Sequence, residues 1–108
     1  MTTGAAWNLD DPLKPWALFD PDSTRDIPFD WASWLADIGS TYFAHVILPD
    51  SNLEHVASAQ FAGVIEARIR KASAGTLVVG TKYPVTCRIT STSGEIEDQT
   101  LWLKVIEK

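Results

Sequence analysis

Hydrophobic and polar residues alternate with a period of two over much of the second half of the chain. The clearest case is residues 82–92, where Tyr83, Val85, Cys87 and Ile89 alternate with Pro84, Thr86, Arg88 and Thr90. A half-buried strand needs this pattern, because successive side chains point to opposite faces of a sheet. A last strand is predicted with Leu101, Leu103 and Val105 inward, after a hairpin turn at Thr92-Ser-Gly94. Its other side carries Trp102 and Ile106 among Thr100 and Lys104, which breaks the polar-out rule and points to a covered outer face. Residues 64–71 set Ile65, Ala67 and Ile69 against Glu66, Arg68 and Arg70, and the flanking Gly63 and Gly75 favour a strand over a short helix. Residues 41–48 are rich in aromatic and β-branched side chains, and Pro49-Asp-Ser-Asn supplies turn chemistry behind them. Residues 53–61 alternate more weakly, with Leu53, His55, Ala57 and Ala59 on one side. Residues 76–79 form a brief apolar run stopped by Gly80.

The stretch 26–35 breaks this rhythm and sets three aromatic rings, Phe29, Trp31 and Trp34, close together. Pro28 cannot donate to a ladder and pushes Ile27 into the β region, so the stretch begins extended. Asp30 then stands where a helix N-cap would, offering a carboxylate to free amides. Trp31, Trp34 and Leu35 share one face of a single helical turn. The prediction is a core plug of Phe29, Trp31, Trp34 and Leu35 closing one end of the fold.

Residues 1–23 read as an extended arm. Pro12, Pro15 and Pro21, several aspartates and no sustained period argue against helix or strand. Yet Trp7, Leu9, Leu13, Trp16, Leu18 and Phe19 make it too apolar for a disordered tail. Such an arm needs a surface, either its own domain or a neighbouring subunit, and two tryptophans tilt the choice toward a neighbour. Six or seven short strands, about 8–12 residues apart with turns between, predict an antiparallel immunoglobulin-like β-sandwich over residues 24–108. Gly80-Thr-Lys-Tyr83 is similar to the tyrosine corner of such domains, with Tyr83 tied back to nearby backbone.

At 108 residues the chain has room for one core. Hydrophobic residues at 45% and charged residues at 21% are ordinary for a globular domain. No run reaches the roughly 18 apolar residues of a membrane helix, and no basic-then-apolar leader follows Met1, so Sec-type export is not expected. The net charge of −5 resides entirely in the first 37 residues. No basic face for counterion displacement is legible, so nucleic acid is not expected as a partner. The single Cys87 excludes an internal disulfide and a multi-thiol zinc site, and reads as a buried thiol.

Candidate chemistry is sparse. Asp20, Asp22, Asp26 and Asp30 are oxygen-rich enough for calcium but lack the glycine and terminal glutamate of an EF-hand loop, so turn and helix capping is the reading taken. His45 and His55 lack a third zinc ligand. No Gly-x-Ser-x-Gly elbow is present, and the expectation is a protein that is not an enzyme and holds no cofactor or metal.

Three pieces together resemble a known family. They are Asp20-Pro-Asp22 with Phe29-Asp-Trp31-Ala-Ser-Trp-Leu35, then residues 80–90, then Ser93-Gly94 with Leu101-Trp-Leu-Lys-Val105. Over residues 20–106 the chain resembles the fibre-tail adaptors of tailed bacteriophages, with the order and spacing of the pieces carrying the likeness and residues 41–74 matching only in pattern. The resemblance implies a structural virion protein, made in the host cytoplasm, that bridges tail proteins or seats a fibre in the tail or neck. Its expected partners are other virion proteins, met in several copies around a ring, with no membrane involved. The residues expected to bind them are Trp7, Trp16 and Phe19 on the arm and Trp102 and Ile106 on the last strand. The alternative is a carbohydrate-binding sandwich, with Trp7, Trp16 and Trp102 as stacking platforms.

Overall fold

The computed structural model describes residues 16–106. Among them the chain forms strands β1 (Trp16–Phe19) and β2 (Arg25–Asp30), helix α1 (Ala32–Asp37), and strands β3 (Tyr42–Pro49), β4 (Leu53–Phe61), β5 (Val64–Lys71), β6 (Lys82–Ser91) and β7 (Ile96–Val105). They make two sheets, ordered β1-β7-β6-β3 and β2-β5-β4. The expected all-β sandwich is the fold found. Strands β2 to β7 follow the B-E-D and C-F-G orders of constant-type immunoglobulin domains. The first strand departs from that scheme by pairing, in parallel, with β7 instead of β2.

The inward positions read from alternation are the core. Ile65, Ala67, Ile69, Val85, Cys87, Ile89, Leu101, Leu103 and Val105 are all buried, with Ile27, Phe29 and Ile47 filling the layer between the sheets. Trp31 and Leu35 are buried and Trp34 packs against them, its ring edge-on to Trp31 at 5.5 Å. The expected plug is therefore core. Its capping differs in detail: Trp31 is the N-cap residue, and Asp30, one position earlier, accepts the Ala32 amide at 3.0 Å. Gly63 seats the β4–β5 turn on this helix. Its carbonyl accepts from the Trp31 amide at 2.9 Å, its φ is +84°, and a Cβ there would meet Ala32 at 3.1 Å. At the opposite end the Tyr83 hydroxyl accepts the Val78 amide at 2.9 Å, the backbone tie expected of a tyrosine corner.

Two expectations need correction. Residues 16–19 fall inside the stretch read as an arm, yet they are a sheet strand of the same chain, in register Trp16↔Trp102 to Phe19↔Val105. Phe19, expected at a partner contact, is completely buried between the sheets. Four residues are too few to show a period, and the strand borrows its ladder from a segment far along the chain. The second correction concerns β4, where a bulge between His55 and Ala57 reverses the alternation. Beyond it Ser58 and Gln60, both exposed, lie opposite Ala67 and Ile65 on the side that Leu53 and His55 occupied, and Ala57 and Ala59 move to the other side.

Candidate docking surfaces

Two features of the surface stand out beside three cross-strand ion pairs. Asp26–Arg68, Glu54–Arg70 and Arg88–Asp98 are each directly opposed across neighbouring strands, with N–O distances of 2.8–2.9 Å. Each arginine hydrogen-bonds its carboxylate and holds it below the ordinary range. Between such pairs lie exposed and half-buried aromatic and apolar positions.

The first feature is the outer face of the β1–β7–β6 region. Pro84, Trp102 and Trp16 stand in one row across three strands, and Lys82, Lys104 and Leu18 in the next. The ammonium groups of Lys82 and Lys104 lie 5.1 and 5.2 Å from the Trp16 ring centre, within cation–π range. Trp16 and Trp102 are half-buried, and Ile106, also half-buried, donates its amide to the Phe19 carbonyl at 3.0 Å. Thus Trp16 and Trp102 are brought together within one chain, Ile106 lies farther along the same flank beside Phe19, and Phe19 itself is in the core. Trp7 lies outside the described residues.

The second feature is the flank where the sandwich ends in β3 and β4, an edge of each sheet. No acidic or basic residue other than His45 occurs in β3, and Glu54, already paired with Arg70, is the sole acid of β4. Phe43, 68% exposed, sits at a bulge, and Val46 and Leu48 are exposed beside it. On β4, Val56 and Phe61 are exposed, the latter by 83%. Where the flank meets α1, a cavity of about 500 Å³ opens between Leu35, Ala36, Tyr42, Gln60 and Gly63. Sequence reasoning missed this site. Its signal was present in the uncharged runs 42–48 and 55–61, but only the topology makes both of them edges.

His45 joins the two edges. Its Nδ1 lies 2.7 Å from the Tyr42 hydroxyl and its Nε2 2.7 Å from the Ser58 hydroxyl on the other sheet. Both ring nitrogens are thereby engaged by hydroxyls, and the arrangement is a stitch between sheets. Burial, and then the nearby His55, push the His45 pKa down. Burial pushes the Cys87 thiol up to about 11, with the neighbouring Trp31 indole acting the other way, so this sulfur is protonated at neutral pH. The aspartates considered for calcium have local partners: Asp20 accepts the Asp22 amide, Asp26 pairs with Arg68 and Asp30 caps α1. No cluster of three or more metal-ligating side chains occurs among the described residues. No helix among them is long and apolar enough to cross a membrane.

A two-sheet body, a tryptophan plug and two apolar surface regions are the features a small docking protein would show. No curated protein matches the chain. A family model described as podophage GP4 fiber-tail adaptor protein gp77 matches residues 20–104, from the Asp20 turn to the end of β7. The chain belongs to this family of podophage fibre-tail adaptors, and is a structural adaptor of a bacteriophage tail.

Proposed function

We propose that the protein joins tail proteins or seats fibres through protein–protein contacts alone, in several copies around the tail or neck. The observation that supports this reading best is the uncharged β3/β4 flank, with Phe43 and Phe61 exposed on edge strands. A soluble protein normally blunts such edges with charge, proline or a cover, because they template pairing with another chain. Adaptors repeated around a ring also gain avidity, so modest single contacts suffice. The outer row of Trp16 and Trp102 supports a second protein contact beside the first. It suits a sugar platform poorly, because two ammonium groups already lie against the Trp16 ring.

The test is the double substitution Ala59→Lys with Phe61→Lys, both at exposed positions on the outward side of β4. The isolated protein is expected to keep its melting temperature, while particles assembled with it lack the adaptor. Normal amounts of the variant in purified particles would overturn the reading.

A further inference from the structure

We infer that the acidic pair Asp10–Asp11, from the segment leading into β1, folds back on its own chain and seats on Lys82 and Lys104. Among the described residues every other lysine and arginine donates to a carboxylate or a carbonyl. Arg68, Arg70 and Arg88 hold Asp26, Glu54 and Asp98. Arg25 donates to the Leu18 carbonyl, and Lys71 to those of Ala72 and Gly75. Lys82 and Lys104 lean instead on the Trp16 ring, at 5.1 and 5.2 Å from its centre. They stand directly opposite one another on β6 and β7, and like charges so placed repel. The chain as a whole carries −5, so this uncompensated positive spot is a local exception. Two ammonium groups against one ring, with no described carboxylate paired to either, call for a counter-charge.

The segment before β1 carries that charge within reach. Ahead of Trp16 the sequence holds two acids, Asp10 and Asp11, and one lysine, Lys14. Asp11 lies five positions before Trp16, a tether of at most about 17 Å. The two ammonium groups lie against the Trp16 ring itself, so this span leaves slack for a turn. Pro12 and Pro15, between Asp11 and Trp16, supply turn chemistry. So short a tether holds the acidic pair at an effective concentration on the order of millimolar, which a second copy in dilute solution does not match. The tryptophans of the segment tilt it toward a neighbour, but the placement of β1 beside these lysines reverses that choice. A partner that reaches the Trp16–Trp102 row has first to lift the acidic segment. The contact lies within one chain and is independent of the adaptor reading.

The experiment is a disulfide trap in the full-length protein, Asp11→Cys with Lys104→Cys, oxidised and run without reductant. Cys87 is fully buried and stays out of the reaction. The expected product is a monomer with an internal bridge, identified by mass spectrometry. Covalently linked copies would show that the segment docks on a neighbour and overturn the inference, as would no bridge at all. A charge swap reads the same contact without new thiols. Lys82→Glu with Lys104→Glu is expected to speed thermolysin cleavage at Leu9 and Leu13 about threefold to tenfold, the scale of two exposed ion pairs. Adding Asp10→Lys and Asp11→Lys should restore the wild-type rate, which a variant that had merely misfolded would not do. Cleavage that the first swap leaves unchanged, or that the second fails to restore, overturns the inference.

Discussion

The two flanks of this sandwich solve the same problem in opposite ways. On one side, β1 is four residues long, β2 carries Pro28 in mid-strand, and Asp26 pairs with Arg68 at the rim. The Arg25 guanidinium also donates to the Leu18 carbonyl, binding the turn between the two edges. Short strands, proline and charge are the devices that stop an edge from recruiting another chain. On the other side, β3 and β4 run for eight and nine residues with exposed Phe43, Val46, Leu48, Val56 and Phe61. One flank is closed, the other left open. The difference shows that the second flank's bareness is a local property, since the same chain blunts its edges elsewhere.

Two phenylalanines sharpen the contrast most. Phe19 on the closed flank is fully buried, and Phe61 on the open flank is almost fully exposed. Phe19→Ala is expected to cost about 3–5 kcal/mol, a large share of the total for a domain this size. Thermal denaturation should show a melting temperature lower by about 12 °C or more. An unchanged melting temperature would mean that β1 is dispensable to the sandwich and that the closed flank is not closed. Substitutions at Phe61 carry no such penalty, because little surface is buried there.

A smaller effect probes the stitch at the open flank. His45 titrates below its usual value because burial disfavours its charged form. Stability on this account is full above about pH 6.5, the unfolded histidine value. It falls as the pH drops below that, since the unfolded chain then binds a proton that the folded one refuses. The decline ends once the pH passes below the folded pKa. Denaturant melts of the wild type between about pH 7 and 5 should show this slope, and His45→Gln should flatten it. A slope that persists in the variant would assign the pH dependence to another group.

The smallest effect is expected at the closed rim. The side chains of Asp26 and Arg68 are about half exposed and screened by solvent, so Asp26→Asn should shift the melting temperature less than either change above. About 1 M salt should shrink the shift further. A large, salt-insensitive loss would show that this pair does more than blunt an edge.

Much of the architecture is legible in the amino-acid order alone. Alternation in residues 64–71, 82–92 and 101–105 named the inward side chains, because a pleated strand assigns faces by parity and needs no knowledge of its partner. The plug was readable from a proline, an aspartate and three clustered aromatics, all acting within ten residues. The Tyr83 tie was readable from the residues leading into its strand. What alternation cannot supply is who pairs with whom. β1 finds its ladder on β7, more than eighty residues away, and four residues carry no period to announce it. The bulges at Phe43 and Val56 swap faces mid-strand, and a one-residue shift leaves composition untouched. Whether an uncharged strand is a sheet centre or a bare edge likewise depends on hydrogen bonds made by other segments. Local residue order thus determined the elements, their inward faces and the plug, through sterics and periodicity. Only the tertiary structure, through long-range pairing, decided that Phe19 is core and that β3 and β4 stand open.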